Sequence, residues 1–64
     1  MITINGEKLE KSEIRLSDYL AEKKYKTERI AVELNGGILP KSQYETTVLK
    51  DGDKAEIVSF VGGG

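Results

Sequence analysis

Ala55, Glu56, Ile57, Val58, Ser59, Phe60 and Val61 form a stretch unusual in this chain, because apolar side chains fall on both faces of an extended strand. Side chains alternate along a strand, so Ala55, Ile57 and Val61 share one face while Val58 and Phe60 share the other. A strand apolar on both faces belongs in the middle of a sheet. The segment expected to pair is 54–60. Asp51, Gly52 and Asp53 supply the tight turn that feeds it, and Val48 and Leu49 re-enter the core just before that turn.

Working outward, Ile30, Val32 and Leu34 alternate with Ala31 and Glu33, the pattern of a strand with one face turned inward. Asn35, Gly36 and Gly37 then turn the chain. Ile38 and Leu39 make a brief strand that Pro40 ends or confines to an edge. Residues 41–45 are a polar connector with room for one helical turn. At the other end, Met1, Ile2, Thr3 and Ile4 alternate as a half-buried strand. Asn5-Gly6 is the strongest short hairpin signal, since both central positions of a type I′ turn need positive φ. A second strand is expected over 7–11, with Leu9 inward.

Ser17 has the chemistry of a helix N-cap, with Asp18 in the first turn where the helix dipole favours negative charge. Leu16 and Leu20 could staple across that cap. The helix is expected over 18–25, with Lys23, Lys24 and Lys26 near its C-terminal end. It is short, so packing must hold it. The element order is hairpin, helix, strand, small hairpin and final central strand. One helix packed on one face of a sheet is the economical solution. The expected fold is therefore α+β, a β-grasp (ubiquitin-like) domain with a mixed sheet of about four to five strands. Residues 1–61 make this single domain and 62–64 a flexible glycine tail.

A chain of 64 residues hides a modest core, about 60% of the surface its unfolded form exposes. It has no cysteine and no histidine. That removes a thiolate nucleophile, thiolate metal sites and the commonest general base at neutral pH. Its carboxylates are spread among lysines, with 33% of residues charged, which is the composition of a solvated surface. Asp51 and Asp53 invite a metal reading, but residues spanning a tight turn make a poor cage, so no metal site is expected. A net charge of −1 leaves no electrostatic footprint for nucleic acid. Neither a membrane span nor a signal-peptide pattern is evident, so a cytoplasmic, soluble protein is expected.

The chain closes with Gly62, Gly63 and Gly64. Three glycines can be a fraying terminus or a strand stop. They can also serve a function, because glycine lets backbone approach another surface closely. Four extended residues from Val61 reach about 13 Å, enough to thread a narrow cleft while the body stays outside. The terminal carboxyl group is ionised at neutral pH and resists nucleophilic attack until it is activated. Coupling it to the adenylate of ATP gives a mixed anhydride, from which a sulfur nucleophile can displace AMP to leave a thiocarboxylate. The chain has no P-loop, so any ATP site must belong to a partner.

Three stretches taken in order resemble the ThiS-type sulfur carrier proteins of thiamine biosynthesis. They are Val32-Glu33-Leu34-Asn35-Gly36 with Leu39-Pro40-Lys41-Ser42 and Tyr44, then Leu49-Lys50-Asp51-Gly52-Asp53, then Glu56-Ile57-Val58-Ser59-Phe60-Val61-Gly62-Gly63-Gly64. The resemblance implies a carrier that is no enzyme and binds no cofactor itself. It implies that an E1-like adenylyltransferase of the ThiF type, using ATP and Mg2+, activates Gly64. A donor such as a cysteine desulfurase would supply the sulfur, and a thiazole synthase of the ThiG type would take it. Gly64 is then the modified residue, with Gly62 and Gly63 as the flexible tail. Phe60 and Val61 lie where partner contacts are expected, though either could be core. Lys41 stands where arginine is common in that family, and the two are not equivalent as planar hydrogen bonders. The tail also has glycine where relatives can carry alanine.

Three other readings share parts of this pattern. A molybdopterin-type sulfur carrier and a ubiquitin-like protein modifier also end in two glycines. A passive β-grasp interaction module would make no use of the tail.

Overall fold

The structure, a computed structural model, describes residues 1–60 of the 64. Seven strands and one helix follow in the order β1 (Ile2–Ile4), β2 (Glu7–Leu9), β3 (Glu13–Arg15), α1 (Leu16–Glu22), β4 (Ile30–Leu34), β5 (Gly37–Leu39), β6 (Val48–Lys50) and β7 (Lys54–Ser59). Five strands form one mixed sheet in the order β2-β1-β7-β4-β5, and β3 pairs with β6 apart from it. The β1–β7 pair is parallel and the others are antiparallel. The expected mixed sheet packing one helix is what the chain forms.

The expected central strand is central, since β7 lies between β1 and β4. The stated reason was wrong. Ala55 and Ile57 are buried, but Val58 is 59% and Phe60 51% exposed. Centrality comes from hydrogen-bonded neighbours on both edges, while only one face of the sheet is covered. Antiparallel and mixed sheets tolerate an open face where a fully parallel sheet does not.

The covered face holds Ile2, Ile4, Ile30, Val32, Ala55 and Ile57 from the sheet, with Leu16, Tyr19 and Leu20 from α1. Leu9 packs against this core, as its inward assignment requires. Leu49 is fully buried while its neighbour Val48 is only half-buried. Tyr44, inside the stretch expected to be a polar connector, is also core. One turn of 3-10 helix, Lys41–Gln43, delivers it there.

The helix departs from expectation at both ends. It starts at Leu16, with Arg15 as N-cap and no side-chain cap bond, so Ser17 lies inside the first turn. The incoming strand β3 runs straight into the helix, and the Leu16 N–H donates to the Thr47 carbonyl (3.0 Å) instead of needing a cap. Leu16 and Leu20 are both fully buried. At the far end the helix stops at Glu22, short of Tyr25. Lys24 adopts φ +63°, its N–H donates to the Ala21 carbonyl (3.1 Å), and the Tyr25 N–H donates to the Leu20 carbonyl (2.9 Å). That pair of bonds is a Schellman cap, which favours glycine at the position Lys24 occupies. Lys24→Gly should therefore raise stability by about 0.5–1 kcal/mol, the relief of left-handed strain outweighing the looser unfolded chain. Thermal unfolding should show a midpoint roughly 2–6 °C higher.

The second strand ends at Leu9 and not at Lys11, and β3 was not anticipated. Strand β3 is a three-residue segment whose partner β6 lies far along the chain, with Ile14 opposite Leu49. Nothing local marks such a strand. No helix among the described residues is long and apolar enough to cross a membrane.

Candidate functional site

Strand β7 is the last described element before the C-terminal residues, so the candidate site starts from what holds β7 in place. Both Asn-Gly turns contribute to that. Asn5 and Gly6 take φ +52° and +80°, and Asn35 and Gly36 take +50° and +89°, the all-positive pattern of type I′ turns. The side chains then reach across to β7. Asn5 Oδ1 accepts from the Ile57 N–H (2.7 Å) and Asn5 Nδ2 donates to the Ile57 carbonyl (3.3 Å). A carboxamide thus stands in for a peptide unit and carries the β1–β7 ladder beyond the last residue of β1. On the other side, Asn35 Oδ1 accepts from the Lys54 N–H (2.9 Å), at the start of the strand.

Asp53 completes the turn before β7. One carboxylate oxygen accepts from the Lys50 N–H (2.9 Å) and the other from Asn35 Nδ2 (3.1 Å). These bonds, the backbone one first, hold the Asp53 carboxyl below the usual aspartate range. Asp51 pairs with the Met1 amino group. Both aspartates therefore serve the turn and the terminus. Among the described residues no three metal-ligating side chains cluster. Because the folded pKa of Asp53 is depressed, its contribution to stability is complete above the ordinary aspartate pKa of about 3.9. It fades as pH falls from there through the lower folded value. Asp53→Ala should cost about 1 kcal/mol at neutral pH, and acid titration of unfolding should show that cost vanish at low pH.

Phe60 lies at the end of this scaffold, its N–H donating to the Arg29 carbonyl (2.9 Å). It is not part of the core. Along with Val58 and Ile38 it lies on the open face of the sheet, at 51%, 59% and 71% exposure. Val61, Gly62, Gly63 and Gly64 lie outside the described residues. Lys41 lines a shallow cleft with Thr27, Ser42, Tyr44 and Glu45 and forms no ion pair among the described residues. Among the described residues the buried side chains are apolar apart from the phenols of Tyr19 and Tyr44.

The family model for ThiS matches residues 1–64, the whole length of the chain. This chain belongs to the ThiS family. The sulfur carrier protein ThiS of Bacillus subtilis is 38% identical over 66 aligned positions and covers all of both chains. A thiazole synthase of Paramagnetospirillum magneticum is 42% identical over 64 residues, spanning 98% of this chain and 20% of the synthase. The crystal structure of a thiamine biosynthesis protein, ThiS, from Geobacter metallireducens superposes with a TM-score of 0.75 at 33% identity, covering 98% and 97% of the two chains. The ThiS fold is thus shared over nearly the full length of both chains.

Sequence reasoning had Asn5 and Asn35 as turn residues and missed their second role as partners of β7. It also missed Ile38 and Val58 as exposed apolar residues. The alternation along β7 places Val58 with Phe60, but no residue pattern states which face α1 covers.

Proposed function

We propose that this chain carries sulfur for thiazole formation in thiamine biosynthesis, as a consumed and recharged co-substrate with no catalysis of its own. The observation that carries the reading is the full-length ThiS-family match, with a Bacillus sulfur carrier aligned end to end. A thiazole synthase with a stretch like this chain in its own polypeptide supports pairing of carrier and synthase.

The reacting group is the Gly64 carboxylate. In an adenylyltransferase of the ThiF type, which holds ATP and Mg2+, that carboxylate attacks the α-phosphate and expels pyrophosphate. A sulfur donor such as a cysteine desulfurase supplies a persulfide whose terminal sulfur displaces AMP. A thiol then reduces the resulting acyl disulfide, itself ending in a disulfide, to free the thiocarboxylate. The thiocarboxylate then delivers sulfur to a ThiG-type synthase, and Gly64 regains its oxygen. Gly62 and Gly63 are small enough to thread the partner's cleft, with Phe60 and Val61 at its mouth. The body contributes a rigid seat for β7, so the tail is presented from a fixed point. A cytoplasmic location, where ATP is available, belongs to the same reading.

Intact-mass analysis after incubation with the activating enzyme, ATP and a sulfur donor tests this. The expected result is a gain equal to replacing one oxygen by sulfur, localised to Gly64. An unchanged mass beside a relative that is loaded by the same enzyme would sink the proposal.

A further inference from the structure

The two Asn-Gly turns that shape the sheet are also chemically labile, since asparagine is a thermolabile residue. The backbone nitrogen that follows an asparagine can attack its side-chain carbonyl, and glycine, with no Cβ, obstructs that attack least. Gly6 and Gly36 both have open space where a Cβ would stand. What differs is how each carboxamide is held. Both bonds of Asn5 go to the Ile57 main chain, inside the central strand, and are partly buried. Those of Asn35 go to the Lys54 N–H, at the first residue of β7, and to Asp53 Oδ1, and both are exposed. Exposed bonds at the end of a strand open far more often than bonds within it. Once they open, the Asn35 carboxamide can turn onto the Gly36 nitrogen.

We infer that Asn35 is a deamidation site: the Gly36 nitrogen displaces ammonia from its side chain, and the carboxylate that results opposes Asp53 and loosens the start of β7. Water is the one co-reactant. A bond forms between the Gly36 nitrogen and Asn35 Cγ, the Cγ–Nδ2 bond breaks, and ammonia leaves with the proton that Gly36 gives up. Water then opens the cyclic imide at either carbonyl. One opening gives aspartate. The other gives isoaspartate, whose main chain runs through Cβ and Cγ and is one methylene longer. Either product removes the Nδ2–H that Asp53 accepts (3.1 Å) and adds a negative charge beside it. Glu33, Glu56 and Lys54 line the cleft at Gly36, and Lys50 lies near Asp53, so carboxylates already outnumber ammonium groups there. Two carboxylates brought this close repel. The inference stands apart from the sulfur-carrier reading, because it concerns the seat of β7 alone.

The test ages the full chain at mildly alkaline pH, folded and in denaturant, and locates the exchange of NH2 for OH by peptide mass spectrometry. In the folded protein Asn35 should deamidate at least about tenfold faster than Asn5. In denaturant the two should react at similar rates, since only the fold separates them. Equal rates in the folded protein, undetectable reaction at both sites included, would overturn the inference, and so would Asn5 reacting first. A second arm exchanges the two partners. Asn35→Asp, the aspartate product, should lower the thermal midpoint by roughly 4–10 °C. Asp-Gly suits a type I′ turn as Asn-Gly does, so that loss reports the contact with Asp53. Asn35→Asp/Asp53→Asn again sets a carboxamide against a carboxylate, with the roles reversed, and should recover most of the loss. A midpoint unchanged in Asn35→Asp, or not recovered by the exchange, would overturn the inference. Should Asn35→Asp fail to fold, folding of the exchanged pair decides the same question.

Discussion

Deletion of Gly63 and Gly64 is expected to abolish loading with sulfur while leaving the folded body intact. Two residues removed shorten an extended tail by about 7 Å. The carboxylate that remains, on Gly62, cannot reach a site shaped for the longer tail. Reaction geometry tolerates little displacement, and an error near 1 Å already costs about a hundredfold. A loss of at least about a thousandfold in kcat/KM for adenylation is therefore expected. Appending one residue after Gly64 should do the same by moving the carboxylate away from its attack position. Stability should not follow activity, because among the described residues the core ends at Ile57. Calorimetry on the same samples checks this, and a truncated chain that still loads would point to a passive tail.

The second large effect is on the fold. Leu20→Ala should destabilise the protein by about 3–5 kcal/mol, in the range found for buried leucines. Alanine is the better helix former, so none of that loss comes from helix propensity. It comes from packing alone: Leu20 is 1% exposed and sits among Ile2, Ile4, Val32 and Leu49 in one continuous core. Helix α1 has only seven residues and would not persist in water without that contact. A chain of this size has about 3–10 kcal/mol in total, so much of the variant should be unfolded at room temperature. Circular dichroism and denaturant titration would show it. Leu20→Met, which keeps the volume, should cost less than about 1.5 kcal/mol.

Turn chemistry and alternation made most of the sheet legible. Asn5-Gly6 and Asn35-Gly36 announced hairpins because few dipeptides tolerate two positive φ values, and both hairpins are present. Ile30, Val32 and Leu34 announced an inward face, and all three point to the covered side. What stayed hidden depends on distant partners. Strand β3 is set by its register with β6, and the helix start by a bond from Leu16 to Thr47. Neither leaves a local mark. Lys24 illustrates a different limit, since lysine gives no hint that it occupies a left-handed cap. Val58 and Phe60 mislead for a third reason. Apolar residues on the second face of β7 read as burial, whereas the fold leaves that face open, and their chemistry then belongs to a surface.

At the candidate site, the proposed reacting end rests on Gly62, Gly63 and Gly64 together with family resemblance, and these residues lie outside the described ones. The platform that presents it needed coordinates. A carboxamide continuing a β-ladder, as Asn5 does with Ile57, cannot be inferred from residue type. The bond between Asn35 and Asp53 likewise emerges only once the two turns are seen side by side.

Sulfur transfer itself offers the most direct test. The carrier would be loaded with isotopically heavy sulfur and incubated with thiazole synthase and the remaining ring precursors. Mass spectrometry would then follow the label in both protein and product. The expected result is heavy sulfur in the thiazole, one atom per ring, with the carrier returned to its unloaded mass. Thiazole formed without the label, or label that stays on the carrier while product accumulates, would contradict the account.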